Sequence, residues 1–189
     1  MNVTERSVLE IPSGYGSTEA ALLMAQLDDQ HALLIRDLEN ITPAELEWQP
    51  RPGMNTIGML LAHLAIVEVF WTQVGPEAKS EFETQSVLGL GMDDDGMPAG
   101  PQALPPETLA AKAFPFYRDL LASARAYARH ATARLSDRDL ARVFTRTRRS
   151  GAVEELNVRW VLYHMVEHFS GHYGQILLLR HQYRDRPAR

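Results

Sequence analysis

The stretch from Trp160 to His181, WVLYHMVEHFSGHYGQILLLRH, places histidines at 164, 168 and 172, four residues apart, with Gln175 three further on. An α-helix turns about 100° per residue, so Val161, His164, Met165, His168, His172, Gln175, Ile176 and Leu179 share roughly a third of its circumference. The imidazoles therefore lie on the stripe of aliphatic residues that must face a core. A single inward histidine is satisfied by hydrogen bonds to its ring nitrogens. Three in one stripe need several buried partners, each costing about 1–3 kcal/mol if left unmade, and a metal ion satisfies them together.

The rest of the chain supplies helices for this one to pack against. Ser17 or Thr18 caps a helix through about Asn40, with Leu23, Leu27, Leu34 and Leu38 on its apolar face. Thr42-Pro43-Ala44-Glu45 reads as a short capped turn of helix. The prolines of Gln49-Pro50-Arg51-Pro52-Gly53 force an extended or turning connection, after which Asn55 or Thr56 caps a second long helix running to about Val74. Its stripe is Ile57, Leu60, Leu61, Leu64, Val67, Glu68 and Trp71, with His63 at the edge. From Gly75 to Pro105 glycine, proline and acid dominate, which predicts a long crossover connection, mobile or folded over one end. Asp93-Asp94-Asp95-Gly96 lacks the spacing of a calcium loop and reads as a solvated segment. A third helical region is expected from Pro105 to about Leu135, kinked near Pro115, then a short capped turn at Ser136-Asp137. Residues 142–152 read as a brief extended piece before Asn157 or a nearby residue starts the last helix. Four long helices with no strong strand alternation and no repeat predict an all-α four-helix bundle in a single domain spanning 1–189, its core helices within about 18–181.

Histidines eight residues apart are separated by about 12 Å of helical rise, so one ion cannot take both His164 and His172. Only an adjacent pair, about 6 Å apart along the axis, can chelate. The remaining ligand must come from another helix, and His63 is the best placed. His31 and His130 sit in polar surroundings, and His181 lies on the other side of the last helix.

Composition narrows the chemistry. The 189 residues, 45% hydrophobic, suffice for a core without staples. With no cysteine there is no disulfide, thiolate ligand or cysteine nucleophile, so a metal must sit on histidine, carboxylate or water. A net charge of −5 argues against a general nucleic-acid role; Arg142, Arg146, Arg148 and Arg149 form a local basic patch in what reads as a solvated connection. No export signal or membrane-spanning run is evident, and a cytoplasmic protein is expected.

The second helix, NTIGMLLAHLAIVEVFW, together with HMVEHFSGHYGQILLLR, resembles the DinB-like (DinB/YfiT) superfamily of four-helix metal-binding proteins. That pattern is one histidine in the second helix and, late in the chain, His-x-x-x-His followed by Gly-Gln. The resemblance implies that His63, His168 and His172 hold a divalent metal, with Gly174-Gln175 completing the pattern. His164 then becomes a residue that orients a ligand or bound water from behind, and Gln175 either orients a ligand or links two helices. The loop between 75 and 105 is longer than the usual connection in this superfamily.

Three neutral imidazoles leave at least one coordination position open, the mark of a catalytic rather than a closed site. Zinc or nickel stands foremost; iron, cobalt and manganese also accept imidazole. The resemblance implies activation of a small thiol for transfer to an electrophile, as in the superfamily's thiol S-transferases. Metal-dependent hydrolysis is the alternative enzyme reading, and a non-catalytic, metal-stabilised dimer of stress response is the alternative of another class. The expected partners are a small-molecule thiol and an electrophile, with no nucleic acid and no membrane, in a homodimer. Glu68 stands roughly 140° around the helix from His63 and reads as buried or exposed rather than as a base. Trp48, Trp71 and Trp160 read as core or interface.

Because four amphipathic helices bury a core of their own, removal of metal lowers the melting temperature but leaves the helices formed. Far-ultraviolet circular dichroism with and without chelator checks this, and helix lost at room temperature on chelation overturns it.

Overall fold

The computed structural model describes residues 8–97, 99–148 and 150–186. Among them are seven α-helices: α1 (Thr18–Asp37), α2 (Pro43–Glu47), α3 (Ile57–Val74), α4 (Gln85–Leu88), α5 (Phe114–Thr132), α6 (Asp137–Leu140) and α7 (Val158–Asp185). One 3-10 turn covers Glu107–Leu109, and β1 (Val143–Thr147) pairs antiparallel with β2 (Val153–Asn157). The chain is mostly helical, with α3 packed on α5 and α7, and α1 packed on α7.

Polar caps start these helices where the sequence places them. Ser17 Oγ accepts from Ala20 N and donates to Asp137 at 2.5 Å, so one side chain begins α1 and ties it to α6. Thr42 and Glu45 form a reciprocal capping box on α2. Thr56 caps α3, and Asn157 Oδ1 accepts from Trp160 N at 2.8 Å to start α7.

Packing decides the role of α3. Of its 18 residues, all but His63, Val67 and Phe70 are buried. These three are spaced i, i+4 and i+7, so they mark one face left partly open. By length and composition α3 could cross a membrane, yet 83% of it is buried inside the protein, as befits a central core helix.

Two expectations from the sequence need correction. The predicted 105–135 helix begins only at Phe114, and Pro115 lies in its first turn instead of kinking it. A proline there lacks an N–H that the helix would leave unpaired anyway. Residues 142–152 are more than a brief extended piece: they belong to a hairpin whose register sets Arg146 against Glu154 and Phe144 against Leu156 on the half-buried face. An inward pair of opposite charges hides the period-2 pattern from a purely hydrophobic reading. The all-α expectation thus gains a two-stranded sheet. Arg149 of the basic patch lies outside the described residues.

The connection after α3 is folded against the core. Thr84 Oγ1 donates to Leu90 O at 2.8 Å, Gly91 N donates to Asp94 Oδ2 at 2.7 Å, and Leu90 and Asp95 are buried. Gly96 follows in the left-handed region, with φ +69°, and a Cβ there would meet Pro106 at 3.0 Å. The solvated reading of Asp93 to Gly96 therefore fails at Asp95.

Within the core, Arg125 Nη2 donates to Glu68 Oε2 at 3.0 Å, both side chains almost fully buried. Burial pushes the Glu68 carboxyl up to about 7 against the pull of Arg125. Arg125→Met strands that carboxyl and is expected to cost about 3 kcal/mol of stability. Because the folded pKa lies above the ordinary carboxyl value, Glu68's contribution is full at low pH and is lost as pH rises from about 4.5 through about 7. The penalty should accordingly be larger at pH 8 than at pH 5 in urea unfolding; equal penalties at both pH values would contradict a buried charge at Glu68.

Candidate metal centre

Two helices build the centre. α7 is long because its apolar stripe, Val161, Met165, Ile176 and Leu179, is buried against α1 and α3. That packing turns His168 and His172 toward α3, where His63 occupies the partly open face. His63 Nε2 lies 3.2 Å from His168 Nε2, and His172 Nε2 lies 3.1 Å from the same atom. One ring nitrogen from each of the three histidines falls within 4.8 Å of the other two. Nitrogens on a tetrahedral zinc, with Zn–N near 2.0–2.1 Å, stand about 3.3 Å apart.

The other ring nitrogens explain why these three atoms face inward as acceptors. His63 Nδ1 donates to Asp95 Oδ2 at 2.8 Å; a carboxylate only accepts, so Nδ1 carries a proton, and in the neutral ring Nε2 then carries the lone pair. His172 Nδ1 donates to Gln175 Oε1 at 2.9 Å, with the same consequence for its Nε2. Two lone pairs are thereby aimed at His168 Nε2, which can offer at most one proton. A cation satisfies all three, and the residues present fit a divalent ion.

Burial favours the neutral form of two of the rings, His168 and His172. Burial, followed by the proximity of His172, His63 and His164, lowers His168 to about 3. Burial also lowers His172, with the Gln175 hydrogen bond opposing it. Neutral imidazole is the form that binds metal. His168 Nδ1 makes no hydrogen bond to any described residue, so packing orients this ring.

His164 stands one turn away from the trio. Its ring stacks on Trp160 at 4.7 Å and 7°, and its Nδ1 donates to Glu167 Oε1 at 2.9 Å. It touches His168 ring to ring, with centroids 5.6 Å apart, and no hydrogen bond joins it to the trio. His31 packs near Phe169, burial lowering it to about 4, and His130 and His181 are exposed. Glu68 is committed to Arg125. Trp48 packs edge-on against Tyr183.

A cavity of about 560 Å³ opens beside His63, with Trp71, Met92, Asp95, Arg146, Trp160 and His164 among its walls. Trp71 and Trp160 were expected in a core or interface; both also face this space. Asp95 is the functional residue that sequence reasoning missed. Its contact with His63 spans 32 residues along the chain, and the only signal was an aspartate followed by a glycine in a loop too long to be mere linker.

A carboxylate behind a ligating histidine orients the ring and raises its basicity. Asp95→Asn is expected to weaken zinc binding about 10–100-fold in chelator competition, while His164→Ala leaves it within a few-fold, since its Nδ1 is committed to Glu167 and no hydrogen bond joins it to the trio. A greater loss in His164→Ala than in Asp95→Asn contradicts this arrangement.

Residues 22–185 match the family described as Mycothiol-S-transferase, and no curated protein matches the chain. That match takes in all three converging histidines, the connection bearing Asp95 and both strands of the hairpin; the chain belongs to the mycothiol-S-transferase family.

Proposed function

We propose that this chain is a divalent-metal-dependent mycothiol S-transferase in which His63, His168 and His172 hold the ion, zinc or nickel. The observation that carries this reading is the convergence of three histidine acceptors, one of which, His63, lines a cavity large enough for a small molecule. A closed site would favour a metal-stabilised structural protein; the open cavity favours catalysis. The scaffold is a four-helix bundle of α1, α3, α5 and α7 in one domain, with the connection after α3 as its crossover. A thiol substrate and an absence of cysteine suit a reducing cytoplasm.

A divalent ion held there supplies positive charge that keeps a small thiol ionised at neutral pH. The chain's own residues do the rest. Asp95 and Gln175 fix the tautomers of His63 and His172, so both present lone pairs without a conformational search. Trp71, Trp160 and Met92 line the space beside them, limiting water there and offering apolar surface to a bound molecule. His164 is held against Glu167 and Trp160 and contributes a wall.

Metal-loaded protein should conjugate mycothiol to a general electrophile, followed by mass spectrometry of the product. The His168→Ala, His172→Ala double variant should lose both the metal, by elemental analysis, and at least about 100-fold of the rate. Thiol-independent release of product from esters or amides, lost in His63→Ala, would replace transfer by hydrolysis. Full metal occupancy in the double variant would remove these residues as ligands.

A further inference from the structure

We propose that the cavity beside the histidines seats an electrophile with an apolar body and a carboxylate, and that Arg146 is the residue that recognises the carboxylate. The word electrophile rests on the transferase reading; the carboxylate subsite rests on the cavity alone.

Arg146 is fixed in place without being satisfied. Its guanidinium lies 4.7 Å from the ring centre of Trp71 and 5.2 Å from that of Phe70, a cation–π clamp on a β1 residue that faces inward. It makes no hydrogen bond to any described residue. The nearest carboxylate, Glu154 Oε1, is 3.6 Å from Nη1, and Nη1 is buried with no hydrogen-bond partner. Arg148 holds Glu154 more closely, donating from Nε to Oε2 at 2.6 Å. One carboxylate thus serves two arginines, and a positive charge remains at this end of the cavity. Of the three other acids on the wall, Asp93, Asp95 and Glu167, two are committed to imidazoles, Asp95 to His63 and Glu167 to His164.

A planar guanidinium held by stacking, with its donors unused, is preorganised for the two oxygens of a carboxylate. Between Arg146 and the histidines the lining is aromatic and aliphatic: Trp71, Trp160, Ile66, Val67 and Met97. The path is short. Ring contacts run from Arg146 to Trp71 at 4.7 Å, Trp71 to His164 at 5.1 Å and His164 to His168 at 5.6 Å. A molecule about one aromatic ring long, anchored by its carboxylate on Arg146, directs its opposite end toward the histidines.

The substrate 4-(chloromethyl)benzoate has this shape, and 4-(chloromethyl)benzamide is its uncharged counterpart. In either reaction the thiol loses its proton to buffer, the sulfur forms a C–S bond to the benzylic carbon, and chloride leaves with the C–Cl electron pair. With zinc-loaded protein and mycothiol, kcat/KM for the acid should exceed that for the amide by about 10-fold or more. The ratio should fall to near one in Arg146→Gln and be intermediate in Arg146→Lys, which keeps the charge but not the fork. Unreactive 4-methylbenzoate and 4-methylbenzamide, followed by quenching of tryptophan fluorescence, give the same comparison by binding alone. Thermal melts check that the hairpin survives, and the lysine variant carries the test if the glutamine variant unfolds.

Equal treatment of acid and amide by the wild type overturns the subsite while leaving the transferase reading intact. So does an acid preference that persists in Arg146→Gln, because the carboxylate is then captured at the histidines. Absence of conjugation with either chloride, alongside Arg146-dependent binding of 4-methylbenzoate, removes the transferase reading and supports the subsite.

Discussion

Three histidine lone pairs directed at a common point repel one another, and such a cluster persists only where the surrounding structure holds it and a cation completes it. Nearly every feature around the centre serves this constraint. α3 is buried on all sides but one, so His63 has little freedom to turn away. α7 is anchored at its start by Asn157 and further along by Arg180, whose Nε reaches Glu45 Oε1 at 3.3 Å beside the α2 capping box. The rings of His168 and His172 are therefore positioned by packing on both sides of them. Asp95 and Gln175 then set the protonation of the two outer rings.

Burial that favours the neutral form of His168 and His172 also gives charge in this region unusual weight. Glu68 of α3 and Arg125 of α5 pair in the core, and neither is fully satisfied by hydrogen bonds. In the cavity, Asp95, Glu154 and Glu167 each answer a particular cation or imidazole, and Arg146 is the cation answered least well. A centre made of neutral ligands on a divalent ion keeps its positive charge, and Arg146 extends that field toward the hairpin. The cavity is thus suited to anionic molecules with apolar bodies, although the chain as a whole carries a net charge of −5.

The two segments that shape the cavity's mouth, the connection after α3 and the β1–β2 hairpin, are those whose structure the sequence revealed least. Both are made of long-range contacts between residues of ordinary type. Arg146 faces Glu154 because of hairpin register, and Asp95 reaches His63 because a left-handed glycine follows it and a buried leucine precedes it. Neither produces a period that a window of sequence detects. Pro115 was misread for a related reason: a proline opening a helix and a proline kinking one look alike until the residues before it are known to lie outside the helix.

The sequence by itself determined the long helices, offered caps at Ser17 or Thr18, at Asn55 or Thr56 and at or near Asn157, and put three histidines on the inward stripe of the last helix, because helical periodicity and capping are local and repeat every few residues. It also restricted any metal to imidazole and carboxylate by lacking cysteine. Only the tertiary structure decided that His63 meets His168 and His172 while His164 turns to Glu167. The reason is geometric: all three α7 histidines share one stripe, and which of them reaches the centre depends on the level at which α3 crosses α7, a matter of core packing among residues far apart in the chain.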